Sequence, residues 1–150
     1  MKITASLSKL AGVALLSAGL LLAPAMGYSQ DEGSQDLTNI MDQLQDNYRD
    51  LGRGLRDVSA ETAPELLESV QKMQMLTVEA KPMVPESLKD MSGEEKEQKL
   101  KSYRLRMLET VDILNKMERA LLNNEFDKTD ALWDELKAEK DAGHEEFKID

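Results

Sequence analysis

One histidine, His144, stands in the stretch DAGHEEF near the end of a chain that holds nine methionines and no cysteine. An imidazole can ligate a metal or relay a proton. A thioether is a soft, neutral metal ligand. The lack of cysteine excludes thiolate sites, disulfides and a lipid-modified cysteine. A single histidine cannot supply the paired Glu-x-x-His motifs of a di-iron bundle. No serine lies in local reach of His144, and neither a nucleophile motif nor a glycine-rich phosphate loop is present. The expectation is therefore not an enzyme. Met73, Met75, Met83 and Met91 could in principle take copper(I), but the spacing reads Met73 as core, Met75 as outward and the other two as loop residues.

The elements that position these residues begin after a leader. Residues 1–29 carry Lys2 and Lys9, an apolar run from Leu10 to Leu22, Pro24, and then small residues including Ala25, Gly27 and Ser29. That order is the order of a secretory signal peptide, and the run is short for a membrane span. Residues 30–150 keep 17 of the 19 basic residues and all 29 acids, a net charge of −12. Such a surface repels nucleic acid and anionic membrane and suits a basic partner.

Beyond the leader the sequence reads as helix, rich in Glu, Lys, Leu, Gln, Met and Ala. The first helix is expected from about Asp36, as its cap, to Val58, with Leu37, Ile40, Leu44, Tyr48, Leu51 and Leu55 on one stripe and Met41 beside it. Gly52 and Gly54 should weaken its second half. Thr62 and Glu65 form an expected capping box for the second helix, whose stripe is Leu66, Val70, Met73 and Ala80 and which Pro82 ends. A proline-containing loop follows. Ser92 and Glu95 are the next expected capping box. The third stripe is Leu100, Tyr103, Met107, Val111, Leu114 and Leu121, closed by a turn at Asn123–Asn124. The fourth helix is expected from about Asp127 to Phe147, with Leu132, Leu136, Lys140, Gly143, His144 and Phe147 along one side. Gly143 is costly in a helix and leaves room for something bulky. Two short connections and one moderate loop predict an all-α, antiparallel up-down-up-down four-helix bundle.

In that topology the start of the first helix lies beside the end of the fourth. Met41 and His144 should then meet at one end of the bundle, facing inward. A thioether and an imidazole on opposite walls of an apolar cleft can hold haem iron from both sides, leaving no open position for oxygen or substrate. Without Cys-x-x-Cys-His the haem would be b-type and non-covalent. The competing reading gives His144 a role at the helix dipole and the methionines a role as core filler.

The segments DLTNIMDQLQDNY and ELKAEKDAGHEEF, with QKMQM and the YRLRM to LLNN stretch between them, resemble the soluble cytochrome b562 family, periplasmic b-type haem proteins that are themselves standard examples of this bundle. The resemblance spans roughly residues 36–147. It implies that Met41 and His144 are the axial ligands of the haem iron. It also shows departures. An aromatic residue of the third helix is matched by Met107, with Tyr103 one turn earlier. The aromatic residue that precedes the histidine in the best-known member is Gly143 here. An arginine one turn before the histidine is matched by Lys140, which keeps the charge but not the planar fork.

The reading that follows is a periplasmic, monomeric electron-transfer protein with non-covalent haem b. Met41 and His144 are its ligands, and Leu37, Leu44, Tyr103, Met107 and Phe147 line its pocket. Lys140 or Lys148 meets a propionate, and the partner is a basic redox protein; neither nucleic acid nor, after cleavage, membrane is a partner. Its rival is a haem-free helical binding or stress-adaptor protein of the cell envelope, in which the Met41–His144 end would be collapsed.

Overall fold

A computed structural model describes residues 32–147, with side chains from Leu37 onward. The expected leader lies outside the described residues, as does Lys148. Four helices follow one another: α1 (Glu32–Gly54), α2 (Ala63–Ala80), α3 (Gly93–Leu122) and α4 (Thr129–Phe147). Single 3₁₀ turns at Leu55–Asp57, Glu86–Leu88 and Phe126–Lys128 lie in the three connections. No described helix is long and apolar enough to cross a membrane.

The helices bury much of the stripes that periodicity predicts on α1, α2 and α3, whereas of the α4 stripe only Leu136 is buried. Leu51, Leu55, Leu66, Val70, Met73, Leu114, Leu121 and Leu136 join one core cluster, and Leu37, Ile40, Leu76 and Ala80 form a second. The third stripe is wider than predicted. Ile113, Met117 and Ala120 are buried, because α3 packs against both α2 and α4 and so needs apolar residues over a broader arc. Gln71 and Gln74 of α2 donate to the Glu118 carboxylate of α3 at 3.0 and 2.8 Å, and these bonds hold that carboxyl below its usual range.

The helix ends correct the sequence reading in several places. α1 starts at Glu32, so Asp36 lies within the helix and not at its cap. Its regular part stops at Gly54, and Leu55–Asp57 tighten into a 3₁₀ turn. Thr62 is not a side-chain cap either. Its hydroxyl accepts the Ser59 N–H at 2.9 Å, and the Thr62 N–H reaches the Ser59 hydroxyl at 3.4 Å. The reciprocal pair of a capping box is therefore present one turn early, with Ser59 as the cap and Thr62 in the place expected for Glu65. Ser92 has the extended backbone of a cap but no side-chain bond to the helix, and Gly93 follows it at φ +69°. Asn124 takes φ 55°, the left-handed turn expected after α3. α4 begins at Thr129, whose hydroxyl donates to the Phe126 carbonyl at 2.7 Å.

Gly52 and Gly54 turn out to be sites of close approach. A Cβ on Gly52 would stand 2.5 Å from the Trp133 ring, and one on Gly54 would collide with Leu66. Their conformational cost is offset by the packing they allow. Trp133 of α4 stacks on Tyr48 of α1 with centroids 4.4 Å apart, drawing the two helices together at that end. Elsewhere α1 packs on α2, α2 on α3, and α3 on α4, while α1 and α4 lack comparable packing with each other.

Candidate functional site

The gap between α1 and α4 is a cavity of about 690 Å³. That volume falls within the roughly 300–1,000 Å³ common for cofactor sites. α1 contributes Leu37, Met41, Leu44 and Tyr48 to its wall; α3 contributes Tyr103, Arg106 and Met107; α4 contributes Leu136, Lys140, Gly143, His144 and Phe147. All eight residues singled out from the sequence (Leu37, Met41, Leu44, Tyr103, Met107, Lys140, His144 and Phe147) line this one space. The end that holds Met41 and His144 is thus open, not collapsed.

Their positions differ. Met41, in the third turn of α1, is half-buried beside the second core cluster, together with Met107. His144, in the last turns of α4, is exposed at the cavity rim, although the topology alone suggests an inward side chain. Tyr103 is buried, and its hydroxyl donates to the Ala80 carbonyl at 3.0 Å, tying α3 to the end of α2. Burial pushes its phenol up to about 12. Phe147 meets the Tyr103 ring edge-on with centroids 5.5 Å apart. Ser87, in the 3₁₀ turn before α3, donates to the Phe147 carbonyl at 2.8 Å, satisfying one of the carbonyls that a helix end leaves open. Lys140 lies with Nζ 5.2 Å from the centre of the Tyr48 ring and 3.3 Å from Asp141 Oδ1.

Sequence reasoning overlooks Arg106. Its guanidinium lies on the cavity wall and bonds Glu139 at 3.1 Å and Glu146 at 2.7 Å. A signal existed: glutamates 139 and 146 flank Gly143 at steps of four and three, so all three share one helix face. The methionines considered for copper do not form a common site. Met73 is buried in the core, whereas Met75 is 73% exposed.

The residues fit a large, mainly apolar cofactor. The cavity carries a thioether on α1, an imidazole on α4 and mainly apolar walls between them. At Gly143 a Cβ would meet only Arg106 Cδ, at 4.0 Å, so this stretch of α4 presents bare backbone to the space. The histidine and methionine are donors that haem iron accepts.

Comparison with curated proteins and with solved structures finds no match. The family model described as cytochrome b562 matches residues 36–148, most of the chain. The chain therefore belongs to the cytochrome b562 family, a family of haem-binding, electron-transferring cytochromes.

Proposed function

We propose that this protein is a periplasmic b-type cytochrome that carries single electrons, with Met41 and His144 as the axial ligands of a non-covalent haem. One observation carries the reading: the chain's only histidine and a methionine from the opposite end of the sequence line one apolar cavity. When bound, haem would supply a one-electron couple, and Met41 and His144 are the residues that would hold its iron.

The chain's own residues set the conditions for that couple. Met41 offers a soft donor, which favours the ferrous state and a higher potential. His144 offers an imidazole nitrogen. The walls from Leu37, Leu44, Met107 and Phe147 are apolar, so a change in charge at a bound centre would be felt more strongly than in water. Lys140 brings a positive charge to the cavity wall, where a propionate would need one. No cysteine is available for covalent attachment, so affinity must come from the ligands and from packing. The net charge of −12 after the leader supports docking to a basic redox partner, and the leader itself supports export to the periplasm.

The test is an absorption spectrum of the protein without residues 1–29, mixed with haemin, oxidised and then reduced with dithionite. Sharp low-spin α and β bands are expected on reduction. Met41→Ala and His144→Ala should each abolish them and leave the far-UV helical signal intact. A broad spectrum like free haemin, indifferent to both substitutions, would refute the assignment. Because only the folded state owns the site, haem at a hundredfold excess over its Kd should add roughly 2.7 kcal/mol of stability. That gain should raise the Tm of the wild type and vanish in His144→Ala.

A further inference from the structure

The turn that carries His144 is the last of α4, where a helix ordinarily frays for want of partners for its final carbonyls. Here it is tied to α3. Arg106 reaches Glu139 with one nitrogen and Glu146 with another, at 3.1 and 2.7 Å. Both carboxylates are well covered, with side-chain exposures of 16% and 20%, and the arginine is 28% exposed. Pairs so placed are screened less than those on an open surface. Lys99 approaches Glu146 from the same helix at 3.8 Å. The arginine gets there by crossing α4 at its one residue without a side chain in this region. Its Cδ is the atom nearest to the place a Gly143 Cβ would take, at 4.0 Å.

We infer that Arg106 is a positioning residue for His144: its two-carboxylate clamp on Glu139 and Glu146, laid across Gly143, holds the histidine turn against α3 before haem arrives. This rests on the haem reading above. The geometry is that of a clamp and not of a propionate site. Two carboxylates already occupy the guanidinium, and a third anion would have to displace one or crowd negative charge beside it. Gly143 is then needed for a second reason. A large side chain there would take the path of the arginine.

Two measurements on the full mature chain test this. The first is amide hydrogen exchange of the haem-free protein. In Arg106→Gln, exchange at residues 143–147 should accelerate tenfold or more, with α1 and α2 unchanged, and the double variant Glu139→Gln/Glu146→Gln should behave alike. Wild-type exchange in both would overturn the clamp. The second is haemin titration. Loss of a partner that orients a ligand commonly costs 10–100-fold in affinity, so Arg106→Gln should weaken haemin binding about tenfold and lower the low-spin fraction. Arg106→Lys should recover only part, since an ammonium lacks the planar fork; full recovery would overturn the two-carboxylate geometry. Haemin dimethyl ester should show the same loss in Arg106→Gln. A loss confined to free haemin would make Arg106 a propionate partner and overturn the proposal. Should wild-type protein give no low-spin spectrum at all, the cytochrome reading fails, while the exchange rates still decide whether the clamp exists.

Discussion

At one end of the bundle, Trp133 lies on Tyr48 and against Gly52, and α1 and α4 close over a core of fully buried leucines. At the other end, the same two helices leave a cavity between Met41 and His144. The closed end contains Leu51, Leu114, Met117 and Leu121, all at most 1% exposed. The open end has a smaller cluster with Met41, Met83 and Met107 only partly covered. The contrast separates two tasks that share one fold. Packing at the closed end supplies the stability that lets the open end keep apolar surface uncovered. Methionine suits the open end because its unbranched side chain adapts to whatever fills the space. Substitutions at the two ends should therefore have separable effects on folding and on haem.

The largest effect should come from the closed end. Leu114 is fully buried, and Leu114→Ala removes methyl groups that nothing can replace. Buried Leu→Ala changes cost about 2–5 kcal/mol. A value near the middle of that range is expected from urea unfolding of the haem-free protein. Haemin Kd, measured well below the unfolding midpoint, should change less than threefold. A large loss of haem affinity in a still-folded Leu114→Ala protein would mean that the two ends are not independent.

Next comes alkaline pH, which acts at the open end through Tyr103. Burial pushes this phenol from the usual 10.0 to about 12. Unfolded chains release the proton near pH 10, whereas the native protein keeps it up to about 12. The contribution to stability is therefore complete below pH 10 and is lost as the pH rises through 12. A shift of that size corresponds to about 2 to 3 kcal/mol. Lysines titrate in the same range, so the comparison that isolates the effect is with Tyr103→Phe. The stability difference between wild type and Tyr103→Phe should shrink between pH 9.5 and 11.5. A constant difference would show that burial does not hold the Tyr103 phenol protonated in the native protein.

The sequence was most legible where a periodic pattern met an unambiguous partner. The stripes through Leu51, Leu66 and Leu114 are buried because a 3.6-residue period dictates a face, and four such faces have few ways to close. The eight site candidates converge for the same reason: antiparallel order puts the start of α1 beside the end of α4. Features that depend on one side chain finding another across the bundle were not legible. Gly52 looked like a helix-weakening residue because Trp133 is distant in sequence, and only packing reveals its use. Thr62 reads as a cap because Thr-x-x-Glu fits the local rule, whereas the structure forms the reciprocal bonds between Ser59 and Thr62, a pair that the rule does not name. Arg106 goes unnoticed in the sequence, since the two glutamates it binds belong to another helix.

The smallest effects, and the sharpest comparison, come from two glycines given the same substitution. Both Gly52 and Gly143 lie inside helices, where Gly→Ala alone favours folding by roughly 1 kcal/mol. At Gly52 the new methyl group would stand 2.5 and 2.8 Å from two carbons of the Trp133 ring. The ring must lift from Tyr48, and such overpacking costs typically about 1–3 kcal/mol. At Gly143 the methyl group meets Arg106 Cδ at 4.0 Å, an ordinary contact, and otherwise points into open space. Gly52→Ala should therefore lower the urea midpoint of the haem-free protein, and Gly143→Ala should raise it slightly. The sign difference is what matters, because helix propensity is common to both and cancels. If both substitutions stabilise, the Trp133 contact is too soft to define a closed end. If both destabilise, α4 near His144 is packed more tightly than an open cavity allows, and the contrast between the two ends collapses.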